Sequence, residues 1–421
     1  MAMDKFVIYG GNPLAGTLKI SGAKNASLPL MAAALLAPGL HRIHNVPELR
    51  DVRTMAHLLR IIGARVELAE HTLTIDTSAC SYYEAPYELV KTMRASVYVL
   101  GPLLARFGKA RVSLPGGCAW GPRPVDLHIL GMQQLGAEID LDQGYIAARA
   151  RELRGAKITF PNPSVGATGN VMMAAALARG TTIIENAARE PEIVVLAEYI
   201  NAMGGRVSGL GTDRLEIEGV AELRAAEFNN IPDRIEAGTF LCAVALTGGD
   251  VTLQNLNSEH VSAILDTLGK AGFELDIKPD AVRIRAAGRA QPVNVRTAPF
   301  PGFPTDMQAQ WIALMSLAHG TSAITDTIYT DRFTHVAELQ RLGADIRLEG
   351  NTARVRGVEH LKGAPVMSTD LRASASLILA GLAAEGRTDL SRVYHIDRGY
   401  EHIEEKLRSL GANIRREDEP M

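Results

Sequence analysis

One pattern of apolar and polar positions returns six times along the chain. A helical stripe of apolar residues is followed by a glycine stop and then by alternation with a period of two. The copies read IIGARVEL, QLGAEIDL, AMGGRVSG, KAGFELDI, RLGADIRL and SLGANIRR. Their central glycines, Gly63, Gly136, Gly204, Gly272, Gly343 and Gly411, are separated by 73, 68, 68, 71 and 68 residues. Stripes such as Met55, Leu58, Leu59 and Ile62, or Ile403, Leu407 and Leu410, have amphipathic-helix spacing. A glycine directly after such a stripe suits the left-handed residue that closes a helix. The alternating segments predict strands joined by tight turns such as Glu349-Gly350-Asn351.

A second helical segment precedes each stripe, as in LPLMAAALL, TGNVMMAAALA, GTFLCAVAL and SASLILAGLAA. These are apolar all round, which predicts helices buried on every side. Each unit then reads strand, buried helix, strand, amphipathic helix, strand, strand. Six such units fall into two groups of three and predict two similar α/β domains. A solenoid satisfies the same period and stays open on pattern alone.

With 421 residues and 47% hydrophobic composition, the chain has material for two or three domains. A net charge of −3 from 44 basic and 47 acidic side chains makes no field that would gather nucleic acid or an anionic membrane. Any anion site is therefore local. The opening MAMDKFVIYGG lacks a signal-peptide pattern, and the apolar run Leu28–Leu40 is too short to span a bilayer. A cytoplasmic location is expected.

The cysteines, Cys80, Cys118 and Cys242, form no CxxC pair, and no His cluster has metal-ligand spacing, so neither disulfide nor metal is expected. Cys242 within FLCAVAL reads as a packed small apolar residue, and Cys80 has no assigned role. Cys118 follows Gly116-Gly117 between a strand and a helix, a loop position with functional potential.

Counting back from the repeat glycines finds charge at helix starts. Arg50, Arg123 and Arg398 stand thirteen residues before Gly63, Gly136 and Gly411, and Arg332 stands eleven before Gly343. At the mouth of the buried helix, thirty-nine residues before their glycines, stand Lys24, Val165, Asp233 and Arg372; Arg94 and Asp306 fall within three residues of that register. Singly, such arginines read as solvated surface charges. Repeated cations at helix N-termini, which already favour anions, point instead to an anionic ligand.

Ordered motifs run through nearly the whole chain: SGAKNASLP from Ser21, VKTMRAS around Arg94, LPGGCAWGPRPVDLHI around Cys118, SVGAT from Ser164, IIENAAREPEI from Ile183, PDRIEAGTF from Pro232, FPTDMQAQ around Asp306, TDLRASASL around Arg372 and YHIDRGYEHIEEKL around Arg398. In these the sequence resembles the UDP-N-acetylglucosamine 1-carboxyvinyltransferases of the EPSP synthase superfamily. The resemblance implies a two-domain inside-out α/β barrel with three units per domain. It also implies a discontinuous domain of residues 1–22 and 233–421, another of residues 23–232, and an active site in the cleft between them.

The implied reaction moves the enolpyruvyl group of phosphoenolpyruvate to the 3'-hydroxyl of UDP-N-acetylglucosamine, without cofactor or metal, at the start of peptidoglycan synthesis. Resemblance assigns Lys24, Arg123 and Arg398 to the phosphate and Arg332 and Arg372 to the carboxylate. Two anionic groups on a small frame need several cations, and guanidinium suits bidentate contact. Asn25 is implied near the reacting carbon, with a helix cap as its plainer reading. Asp306 is implied as base or proton relay, again against a plain capping role. Cys118 is implied in proton transfer or product release and as the residue alkylated by fosfomycin.

For the sugar nucleotide the resemblance implies Arg94 and the run Arg123, Pro124, Val125, Asp126 and Leu127. It adds the turn Asn162, Pro163, Ser164, Val165 and Gly166, with Asp306 and Ile328 near the sugar. The SVGAT backbone opening a helix suits a diphosphate. Many relatives carry Lys where Arg50 stands, and Asn162-Pro163 replaces a more basic turn, which bears on affinity. Two rival readings stay open: a shikimate-pathway enolpyruvyl transferase, and a non-catalytic nucleotide-sugar binding protein.

Overall fold

All six repeat glycines have left-handed backbone, with φ from 91° at Gly136 to 111° at Gly63. Each closes a helix and turns the chain into a strand, a conformation in which a side chain would meet its own carbonyl. The computed structural model describes residues 3–90, 93–114 and 125–419.

The third repeat shows one unit in chain order. Strand Lys157–Thr159 leads to helix Val165–Ala175, strand Thr181–Glu185, helix Pro191–Ala202 and the hairpin Arg206–Ser208 with Arg214–Glu218. The first strand runs parallel to the second, the second pairs antiparallel with the fourth, and the fourth with the third. Among the described residues the same order recurs in six four-stranded sheets. Three sheets are completed by strands distant in sequence. Leu14–Lys19 lies parallel to Gly249–Gln254, Met3–Tyr9 lies between Arg387–Ser391 and Asn413–Glu419, and Glu227–Asn229 lies parallel to Leu40–His44. The expected six βαβαββ units are thus present. These long-range pairings also separate the fold from a solenoid, whose units touch only their neighbours.

The chain divides into two compact units, one of residues up to Ser21 together with those from Pro232 onward, the other Gly22–Ile231. Within the first, helices Arg234–Thr247, Gln308–Met315 and Leu371–Ala383 pack against one another. Every residue of Gln308–Met315 is buried, the two glutamines Gln308 and Gln310 included. Each unit has its own apolar core, around Trp311 and Phe240 in the first and around Tyr199 and Phe160 in the second. The hairpin turn at Gly350-Asn351 is as expected, with Glu349 opposite Thr352.

The helix starts are more varied than equal spacing suggested. Arg50 is the first residue of helix Arg50–Ile62. Arg332 lies three residues before helix His335–Arg341, and Arg398 closes a 3-10 turn, Val393–Arg398, ahead of helix Ile403–Ser409. Both later helices have only 7 residues, and the chain before them bends instead of extending the helix.

Candidate active site

The residues singled out at the mouths of the buried helices do stand there. Lys24 and Val165 are first helical residues, Asp233 is an N-cap, and Arg372 is the second residue of its helix. Arg94 opens the 3-10 turn Arg94–Val99, and Asp306 sits in the 3-10 turn Thr305–Met307 that feeds Gln308–Met315.

In the unit that contains Pro232 and later residues, Asp306 joins two of the predicted arginines. Arg332 Nη1 donates to its Oδ1 at 2.8 Å, and Arg372 Nη2 donates to its Oδ2 at 3.0 Å. Arg332 and Arg372 are 8% and 3% exposed, so neither charge is dispersed by solvent. Burial by itself would raise the Asp306 carboxyl, but the Arg372 and Arg332 charges more than offset it and hold it well below the usual carboxylate range. Burial would lower both guanidiniums, and Asp306 turns that into a rise. Asp306 is therefore no helix cap. It is a fully ionised group between two cations, one of which, Arg372, has its second terminal nitrogen buried without a hydrogen-bond partner among the described residues.

Neighbouring side chains fix this trio. Thr305 Oγ1 accepts from Arg332 at 3.2 Å, and Gln308 Nε2 donates to the Arg332 carbonyl at 3.1 Å. The Tyr400 ring lies 5.3 Å from the Arg372 guanidinium carbon, and its hydroxyl meets Thr239 at 2.8 Å. Asp370 caps the helix that carries Arg372 by accepting from the Arg372 and Ala373 backbone N–H groups. Ile328 is 38% exposed, on the loop between strand Thr321–Thr325 and helix His335–Arg341. Arg398 is half-buried.

In the unit Gly22–Ile231, Lys24 Nζ lies 2.9 Å from Asp51 Oδ2, with side-chain exposures of 12% and 4%. The helix Lys24–Ala33 is capped at Ala23 without a side-chain bond, so Asn25, its second residue, is not the cap of its plainer reading. Ser164 caps Val165–Ala175 by accepting from Ala167 N at 3.3 Å, while Asn162 and Pro163 are exposed ahead of it. At Gly166 a Cβ would come 3.0 Å from His128 Nε2, so only glycine admits the ring there without displacement. Asn170 Nδ2 donates to His128 Nδ1 at 3.0 Å, leaving the proton of the neutral ring on Nε2 beside the helix mouth. Val125 precedes helix Asp126–Gln134, which Asp126 and Leu127 begin and on which His128 lies.

Cys118, Arg123 and Pro124 lie outside the described residues, as does the side chain of Arg94. Cys242 is completely buried and its thiol is pushed up to about 12 by burial; Cys80 is 7% exposed and raised for the same reason. Neither is a ready nucleophile. No group of His, Cys, Asp and Glu suited to a metal occurs among the described residues, nor a helix long and apolar enough to cross a membrane.

Sequence reasoning missed Asp51, His128, Tyr400 and Asp326, whose Oδ2 accepts from Thr305 Oγ1 at 2.7 Å. Asp51 follows Arg50, one residue off the counted register, and that adjacency was the available signal. For the other three, only the fold brings the partners together.

The family model for EPSP synthase (3-phosphoshikimate 1-carboxyvinyltransferase) matches residues 8–407. Among curated relatives, the UDP-N-acetylglucosamine 1-carboxyvinyltransferase of Chloroherpeton thalassium is 60% identical over 418 residues, 99% of this chain and 97% of the relative. The enzyme of the same name from Trichlorobacter lovleyi is 57% identical over 99% of this chain and 100% of the relative. Among solved structures, the enolpyruvyl transferase NikO from Streptomyces tendae matches with a TM-score of 0.90 at 27% identity, covering 100% of both chains. EPSP synthase from Acinetobacter baumannii matches in fold with a TM-score of 0.76 at 18% identity, over 99% of this chain and 100% of that one. With its six repeated units and its helix-mouth cations, the chain belongs to the EPSP synthase family of enolpyruvyl transferases, in the branch of the UDP-N-acetylglucosamine 1-carboxyvinyltransferases.

Proposed function

We propose that the chain transfers the enolpyruvyl group of phosphoenolpyruvate to the 3'-hydroxyl of UDP-N-acetylglucosamine, releasing phosphate, in the cytoplasm at the first committed step of peptidoglycan synthesis. The observation that carries this reading is the half-buried Asp306 carboxylate held between the buried Arg332 and Arg372 in a chain 60% identical to an enzyme of that name.

In the reaction the sugar oxygen bonds to C2 of the enol while a proton reaches C3. The tetrahedral adduct then loses a C3 proton as the C2–O bond to phosphate breaks. No redox change occurs, so the chemistry asks for proton transfer and charge stabilisation. Arg332 and Arg372 take the substrate carboxylate, and Lys24, Arg123 and Arg398 take the phosphate. Asn25 holds the adduct, and Asp306 accepts the hydroxyl proton. Arg94, the segment from Arg123 to Leu127, the turn from Asn162 to Gly166, and Ile328 hold the nucleotide sugar. Cys118 carries a proton and is the site of attack on fosfomycin's epoxide.

Phosphate release measured with both substrates, each omitted in turn, tests the reading. Release that needs both, that fails with shikimate 3-phosphate in place of the sugar nucleotide, and that stops when fosfomycin adds to Cys118 by intact mass, is expected. Release with shikimate 3-phosphate, or none with either acceptor, would reject it.

A further inference from the structure

We infer that Asp326 is a positioning residue that uses its two carboxylate oxygens to set the Ile328 loop and the Arg332 guanidinium together. This rests on the proposed reaction, in which Ile328 lies against the sugar nucleotide and Arg332 holds the carboxylate of phosphoenolpyruvate.

Asp326 is completely buried at the end of strand Thr321–Thr325. Its Oδ1 accepts from Thr297 Oγ1 and from the backbone N–H groups of Ile328 and Tyr329, each at 2.9 Å. Its Oδ2 accepts from Thr305 Oγ1 at 2.7 Å. The backbone of Asp326 is itself held: its N–H donates to the Asn351 carbonyl, and Asn351 Nδ2 donates to its carbonyl, both at 2.9 Å. Thr297 carries the hold onward, accepting at Oγ1 from Thr327 N at 2.9 Å. The carboxylate is thus a fixed point on the sheet from which two arms extend.

The first arm is short. Two consecutive N–H groups bound to one oxygen fold residues 326–329 into a closed turn and thereby set where the exposed Ile328 stands. The second arm depends on proton accounting. A threonine hydroxyl has one proton, and an ionised carboxylate can only accept. The Thr305 proton is therefore committed to Asp326, which leaves a lone pair for Arg332 Nη1 at 3.2 Å. That same nitrogen donates to Asp306 at 2.8 Å. Asp326 makes Thr305 an obligatory acceptor and so aims the guanidinium. Arg332 is 8% exposed, so solvent offers little alternative guidance.

A residue that merely stabilised the fold would weaken both substrates and turnover without pattern. The two-armed arrangement separates them. Asp326→Ala cuts both arms and should raise KM for UDP-N-acetylglucosamine and for phosphoenolpyruvate, each about tenfold or more, as loss of hydrogen bonds to a charged group does. Thr305→Val, nearly the same shape, cuts only the second arm and should raise KM for phosphoenolpyruvate by ~10-fold while leaving that for the nucleotide sugar within about twofold. Thr305→Ser restores the hydroxyl and should restore the KM. Unchanged KM values in a folded Asp326→Ala, or a Thr305→Val that shifts both substrates alike or neither, would overturn the inference. Should Asp326→Ala not fold, the Thr305→Val and Thr305→Ser pair decides alone. A wild type that releases no phosphate would instead sink the proposed reaction, a separate outcome read before any variant.

Discussion

Asp306 gives one oxygen to Arg332 at 2.8 Å and the other to Arg372 at 3.0 Å, so a side-chain carboxylate engages both guanidiniums proposed to take the substrate's carboxylate. Held so, Asp306 is a weak base; a carboxylate that took over the arginines would release it to accept a proton. Asp306→Asn should therefore lower turnover about 10²-fold, the usual scale for losing a general base. It should also leave the arginine pair hungrier for an anion. Phosphoenolpyruvate is expected to raise the melting temperature of Asp306→Asn more than that of the wild type, read by calorimetry. Equal shifts would mean that Asp306 does not compete for the arginines.

Lys24 and Asp51 offer the corresponding test in the other unit. Their 2.9 Å ion pair is nearly closed to solvent, and removing one partner of such a pair is destabilising because a buried charge remains. Lys24→Met should lower stability by about 3 kcal/mol as well as abolish turnover. Adding Asp51→Asn should recover most of the stability and none of the activity. Urea unfolding of the single and double variants checks the first effect, and phosphate release checks the second.

The repeat was legible because its signals are local. A helical stripe, a glycine with positive φ and a period-two strand each depend on a few neighbouring residues, and Gly63 and Gly411 obey the same rule 348 positions apart. Long-range closure was less legible. Nothing in Met3–Tyr9 states that it lies between Arg387–Ser391 and Asn413–Glu419. The helix mouths were readable where charged residues recur near one register, as with Lys24, Asp306 and Arg372. The site was opaque where a residue acts on others only after folding. Asp326 looks like any aspartate ending a strand, and its partners Thr297 and Thr305 come from 29 and 21 residues away. The motif around Arg398 was legible as a motif, but the short helix after it displaced the arginine into a turn.

Lys406 predicts a purely structural effect. Its ammonium reaches Glu236 Oε1 and Ser21 Oγ, both at 2.6 Å, while Glu236 Oε2 accepts from Ser21 N at 2.7 Å and Ser21 Oγ donates to Glu401 at 2.6 Å. Burial pushes the Glu236 carboxyl up, against the pull of Lys406. Lys406→Met leaves that carboxylate without its cation and should cost on the order of 3 kcal/mol. Lys406→Met with Glu236→Gln should be closer to wild type than the single variant. A single variant as stable as wild type in urea would show that the ammonium contributes nothing net.

Acid should weaken both units as the pH falls below the ordinary imidazole range. Burial lowers His128 to about 4, against a slight opposing pull from Asp126, and lowers His335 to about 3, with Arg332 adding to the fall. His41 is lowered as well, first by burial. In the unfolded chain each imidazole titrates near its ordinary value of about 6.5. Between about 6.5 and 4 the unfolded state therefore binds more protons than the folded state, and stability must fall as pH falls. Above 6.5 both states are neutral at these rings and their contribution is flat. For His128 alone the shift to about 4 corresponds to a loss on the order of 3 kcal/mol across that window. The raised Glu236 carboxyl works in the opposite sense over part of the range, so the histidine share is best isolated by substitution. His128→Gln and His335→Gln should each flatten the slope of unfolding free energy against pH between 6.5 and 4.5, measured by urea titration at closely spaced pH values. Slopes that match the wild type in both variants would mean that these rings already carry their protons in the folded chain.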